Sequence, residues 1–186
     1  MSEIEPALKA KQTISRIAVL GSGNGGNYQA LQDAGLPIAL VLSDCPDAYI
    51  LTRAERAGVP TAIARSSQDI LHTLRGHEID FVCLAGFMRL IRDPLLSAFS
   101  DRILNIHPSL LPAFPGLEAW TQALEARVSE TGCTVHYVDA GMDTGKVIAQ
   151  AKVPVLSSDT ASTLHQRIQA AEHQLYPSTV KRLLAL

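Results

Sequence analysis

Phe81-Val-Cys-Leu-Ala85 is a continuous apolar run, with none of the polar alternation of a strand that has one face in water. Such a run is expected of a strand covered on both faces, as in a parallel sheet layered between helices. The residues before it fit that frame. Strand-like runs at 16–20, 38–43 and 59–64 alternate with helical stretches at 28–34 and 48–57, closed by Gly35 and Gly58. A third helix opens at Ser66-Ser67-Gln68-Asp69 and runs to Gly76. Strands alternating with helices predict an α/β protein with a Rossmann-like, doubly wound, mostly parallel sheet and helices on both faces.

The second half continues the pattern. Asp93-Pro94 reads as an N-cap with proline at the first helical position, and its helix runs to Ser100 before a strand at 103–107. A helix over 117–126 carries the only tryptophan, Trp120, read as a packing residue. Strands at 131–138 and 147–155 flank the acidic, glycine-punctuated loop 139–145, and a long amphipathic helix starts from Asp159 as N-cap, meets Pro177 after Tyr176 and resumes to Leu186. With 186 residues the chain fits one domain, expected over 16–186 behind a loose tail at 1–15.

Composition removes several function classes. A formal net charge of -2 gives no case for nucleic acid, so an anionic ligand must be held by local N–H groups or single cations. Cys45, Cys83 and Cys133 are odd in number and far apart, and the six histidines form no HExxH or H-x-H pattern, so no metal site is expected. No apolar run reaches membrane-spanning length, and the first fifteen residues lack a secretory core. A cytoplasmic protein without membrane partners is the expectation.

Chemistry concentrates at Asn105-Ile-His-Pro-Ser-Leu-Leu-Pro112. Asn105 and His107, two apart on a strand, face the same way, and Pro108 ends the ladder just beyond them. Both therefore lie at a strand's carboxyl end, where open α/β sheets bind ligands. If the loop carrying Asp143 folds back, its carboxylate would partner His107, favour the imidazolium and raise the histidine's pKa. An amide and an imidazolium together suit an oxyanion developing during acyl transfer. Ser109 has no nucleophile-elbow context and is read as a loop hydroxyl.

Two other stretches supply binding sites. Gly21-Ser-Gly-Asn-Gly-Gly-Asn27 joins a strand to a helix, an arrangement in which free N–H groups and the helix dipole favour phosphate. Gly86-Phe-Met-Arg-Leu-Ile91 is apolar where a surface loop should begin and could line a slot for a flat ring. The residues thus argue for direct acyl transfer between two bound substrates, one phosphorylated. A rival reading takes Gly21, Gly23 and Gly26 with Asp44 as a dinucleotide fingerprint, which would make the chain an NAD(P)-binding oxidoreductase.

From about Arg16 onward the chain resembles the phosphoribosylglycinamide formyltransferases, a family of formyl-folate-dependent enzymes. The resemblance is carried in order by Ser22-Gly-Asn-Gly-Gly-Asn27, Leu84-Ala-Gly-Phe-Met-Arg-Leu90, Asn105 to Pro112, Asp139-Ala-Gly-Met-Asp-Thr-Gly145, and Glu172-His173 with Tyr176-Pro177. It implies a formyltransferase fold and transfer of a formyl group from 10-formyltetrahydrofolate, as cosubstrate, to the amine of glycinamide ribonucleotide in purine synthesis, without a metal. Asn105, His107 and Asp143 would be catalytic. Gly25, Gly26 and Asn27 would hold the phosphate, and Glu172 would meet the glycinamide end. Met88, Arg89, Leu90, Ile91, Asn105, Ala140, Gly141, Met142 and Asp143 would contact the folate, and the Leu111-Pro112 bond would be cis. The chain would act as a monomer or homodimer. Two departures stand out: Gly26 replaces a serine common in the family, and Lys146 stands where proline is usual. A formyl-folate-binding protein that has lost catalysis is the remaining alternative.

Overall fold

The computed structural model describes residues 16–186; the expected tail at 1–15 lies outside the described residues. Among the described residues, seven strands form one sheet in the order β3-β2-β1-β4-β5-β6-β7. The first five are β1 (Ile17–Leu20), β2 (Ile38–Ser43), β3 (Thr61–Ile63), β4 (Phe81–Leu84) and β5 (Ile103–His107), and all pair in parallel. β6 (Glu130–Tyr137) and β7 (Val147–Pro154) add antiparallel to that edge. The order reverses between β1 and β4. That switch point opens a crevice at the strands' carboxyl ends.

Period-two alternation sorts the strand residues to two cores. Ile17, Val19, Val41, Phe81, Cys83, Leu104 and Ile106 pack beneath α1 (Gly26–Asp33), α2 (Tyr49–Arg56) and the end of α6 (Ala161–Leu184). Ala18, Leu20, Leu40, Leu42, Val82, Leu84 and Ile103 pack on the other side against α3 (Ser67–Gly76) and α4 (Leu95–Ala98). α5 (Ala119–Glu125) and the start of α6 cover β6 and β7 through Leu124, Cys133, Val153, Leu164 and Ile168. The Tyr176 hydroxyl, fully buried, reaches the carbonyls of Leu84 and Leu104 at 3.0 and 3.2 Å, tying α6 to the end of β4 and the first half of β5.

Several helix limits differ from the sequence expectation. Pro94 itself holds the N-cap position of α4, which is a single turn ending at Ala98, and the Asp93-Pro94 bond is cis; Asp93 still accepts from the Ser97 N–H at 3.0 Å. α6 is capped by Thr160, not Asp159, through a reciprocal box with Thr163. Asp159 instead forms two bonds with the Arg167 guanidinium, at 2.7 and 2.8 Å. α6 also runs unbroken through Pro177, which merely withholds one N–H from the helical ladder. α5 is shorter at both ends than 117–126; Glu118, in a left-handed conformation (φ 51°), sets its start, and Ala126 is its C-cap.

Candidate active site

β5 ends as its sequence dictates, with Asn105 and His107 on one face and the ladder stopped at Pro108. What the sequence reading missed is the neighbour that β6 supplies. Across the antiparallel ladder Asn105 lies opposite His136, which is buried. The His136 Nδ1–H donates to the Tyr137 carbonyl at 2.8 Å, leaving Nε2 to accept from the Asn105 amide at 3.2 Å. This fixes both the tautomer of the ring and the orientation of the amide. Burial pushes the His136 pKa down, against the raising influence of the Tyr137 bond and of Asp143, which suits a neutral acceptor. Alternation of the buried polar residues Thr134 and His136 along β6 was the available signal.

The loop after β6 folds back over the strand end. Asp139 accepts from the Gly141 N–H at 3.0 Å and the Thr144 hydroxyl at 2.7 Å, and Gly145 packs against the Tyr137 carbonyl with no room for a Cβ. Asp143, in a left-handed conformation (φ 55°), is thereby turned inward. Its carboxylate is 13 % exposed, accepts from the Gly116 N–H at 2.9 Å, and stands 3.4 Å from His107 Nδ1 and 3.7 Å from His136 Nε2. His107 Nε2 lies 2.8 Å from the Phe114 carbonyl. Both nitrogens of His107 therefore face oxygen atoms, one from the Asp143 carboxylate and one from the Phe114 carbonyl. The Leu111-Pro112 bond is cis, as the resemblance implied, and Ser109, fully buried, spends its hydroxyl on the Ala113 carbonyl.

A cavity of about 320 Å³ opens above these groups. Met88, Arg89, Leu90, Ile91, Gly141, Met142 and Asp143 line it together with Asn105, His107 and His136; Ala140 is not among its lining residues. Met88, Leu90, Leu117 and Met142 are exposed around it, so an apolar mouth surrounds a polar floor. That combination accepts a flat ring whose polar edge meets fixed donors. Trp120 is both packing residue and wall: it lines the cavity and stacks on His165, with ring centroids 3.7 Å apart and planes 6° off parallel. Another hollow, of about 570 Å³ between α2 and β3, contains none of the candidate residues.

A second cluster surrounds the glycine loop. Gly25 is left-handed (φ 79°), and a Cβ there would stand 2.9 Å from the Ile50 Cα, so the close approach of α1 to α2 requires glycine. The Asn27 amide donates to Glu172 at 2.9 Å, and Asn27 Oδ1 is buried without a partner. Glu172 is only 5 % exposed. Burial pushes its carboxyl up to about 7, opposed by the Asn27 bond. The Arg53 guanidinium bonds the Asn24 carbonyl at 2.7 Å, and His173 Nε2 lies 3.0 Å from where a Cβ on Gly26 would be. None of these residues lines the cavity of about 320 Å³. Two clusters thus flank the switch point, one after β1 and one after β4 and β5.

The acid of the dinucleotide fingerprint is engaged inside the fold. Asp44 is buried, with Oδ1 taken by Ser22 at 2.5 Å and Oδ2 by Arg89 at 2.9 Å. Among the described residues no group of three or more potential ligands could hold a metal, and no helix is long and apolar enough to cross a membrane.

Residues 15–180 match the family described as Formyl transferase. The chain belongs to that family. It is 44% identical to a phosphoribosylglycinamide formyltransferase of Bacillus subtilis, over 93% of this chain and 96% of that protein. The crystal structure of glycinamide ribonucleotide transformylase 1 from Symbiobacterium toebii superposes with a TM-score of 0.89 at 47% identity, covering 97% of this chain and 92% of that one. The match to a trifunctional purine biosynthetic protein, adenosine-3, of Drosophila melanogaster is 42% over 93% of this chain, which spans 14% of that much longer protein. The seven-stranded, mostly parallel sheet is the fold of these formyltransferases.

Proposed function

We propose that the chain transfers the formyl group of 10-formyltetrahydrofolate to the amine of glycinamide ribonucleotide. The observation that carries this reading is the convergence of Asn105, His107 and Asp143 on one apolar-mouthed cavity, in a member of the formyl transferase family. The pterin ring enters the cavity between residues 86–91 and 141–143. The ribonucleotide phosphate sits on the α1 N-terminus at Gly25, Gly26 and Asn27, and Glu172 meets the glycinamide end. Arg89 supplies positive charge at the cavity wall for the carboxylates of the folate.

The neutral amine attacks the formyl carbon and the carbonyl π bond becomes an oxyanion. Asn105, oriented by His136, donates one N–H to it. His107 donates a second once Nε2 exchanges the Phe114 carbonyl for the substrate oxygen, while Asp143 stabilises the charged ring from the other side. Collapse of the intermediate breaks the bond to the folate N10. The new ammonium loses a proton and N10 gains one, carried by His107 or a water, so charge and atoms balance. Purified protein given both substrates should form formylglycinamide ribonucleotide and tetrahydrofolate. Saturable binding of a formyl-folate analogue with no formylated product would instead assign a binding protein without catalysis.

A further inference from the structure

Resting on that reading, we propose that Asp44 is a positioning residue of the formyl-donor site, holding the cavity wall that follows β4 in register with the glycine loop that follows β1. The sequence set Asp44 in a dinucleotide fingerprint, and the proposed reaction gives it no part. Its surroundings give it one. Its two carboxylate oxygens point to different loops: Oδ1 accepts from the Ser22 hydroxyl of the glycine loop at 2.5 Å, and Oδ2 accepts from Arg89 Nε of the wall at 2.9 Å. Ser22 extends the bridge, because its oxygen accepts from the Met88 N–H at 2.9 Å and its own N–H donates to the Gly86 carbonyl at 3.0 Å. The Asp44 carbonyl also accepts from Arg65 Nε at 2.9 Å.

Core packing anchors the wall at Phe87 and at buried Ile91, and the Arg92 N–H bonds Ser67 at 3.3 Å, so the link acts on residues 88–90 between those anchors. Met88 and Leu90 are exposed, and the segment between β4 and α4 has no regular structure. A buried carboxylate whose bonds are charge-assisted is a strong clamp for such a segment. Arg89 is thereby fixed at Nε, with its terminal nitrogens left for a ligand at the cavity wall. The glycine loop depends on it less, since Gly23 accepts from the Ile50 N–H and Asn24 from Arg53. Loss of the Asp44 carboxylate should therefore loosen the formyl-donor side and spare the ribonucleotide side.

Hydrogen exchange of the unliganded protein and steady-state kinetics with each substrate varied test this together. In Asp44→Ala, exchange should accelerate at residues 86–91 and not through the sheet. The KM for formyl-folate should rise about tenfold or more, with the KM for ribonucleotide within about twofold of the parent. Asp44→Asn should restore most of both, because the amide oxygen can accept from Arg89 while its N–H donates to Ser22. Unchanged exchange at 86–91, or a parallel rise of both KM values with faster exchange throughout, would overturn the proposal. Absence of formylated product from the parent would sink the functional reading, while the exchange arm would still decide what Asp44 holds.

Discussion

His107 is gripped from two sides, by Asp143 at 3.4 Å and the Phe114 carbonyl at 2.8 Å, and it carries the largest share of the proposed chemistry. His107→Ala should lower turnover by at least ~10²-fold, the cost of one oxyanion donor, with folate binding largely kept. Steady-state rates check this, and near-normal turnover would refute the role. Glu172 makes a prediction about stability. Its folded pKa of about 7 lies above the ordinary 4.5, so the native state holds the proton more tightly than the unfolded chain. Its contribution is complete below the unfolded value and is lost as pH rises through the folded one. Glu172→Gln keeps an acceptor for Asn27 and removes the ionisation. Urea midpoints should therefore show the variant gaining on the parent from about pH 5 to about pH 8, toward a difference on the order of 3 kcal/mol; parallel curves would contradict the assignment. Asn105 and His107 were legible because strand spacing and Pro108 fix their side and their place. His136 was not, because its role exists only once β6 pairs antiparallel with β5 and sets it opposite Asn105.

At the level of elements, the glycine loop and α1 act as one unit. Gly25→Ala would put an L-residue in a left-handed conformation, at about 1–2 kcal/mol, and press its Cβ on Ile50. We expect the KM for ribonucleotide to rise at least about tenfold with a smaller change for folate; equal changes would separate this loop from the phosphate. Thr160→Ala should cost about 1 kcal/mol in urea unfolding through loss of the α6 cap, with turnover unchanged. If the equivalent change at Asp159 alone weakened the helix, the cap would have been misplaced. The strands were readable because continuous apolar runs have few alternatives. Helix ends were less so: Asp159 and Thr160 are both good caps, and the Arg167 side chain, nearly two turns into the helix, together with the Leu156 N–H and the Thr163 hydroxyl, decides that Asp159 is spent elsewhere.

Across the whole molecule, the strand order places the two clusters on either side of one crevice. The parallel half provides the glycine loop, and the antiparallel edge provides His136 and the loop that delivers Asp143. The sequence announced the parallel half through alternating strands and helices. Closure of residues 139–145 over β5 came from Asp139 and Gly145, whose contacts have no signature in spacing. The central claim is that Asp143 acts through His107 on the transferring formyl group. Single-turnover rates of His107→Ala, Asp143→Ala and the double variant test it most directly. Each single change should slow formyl transfer, and the pair should be no slower than His107→Ala within about threefold. Losses that multiply, or an Asp143→Ala variant as fast as the parent, would contradict it.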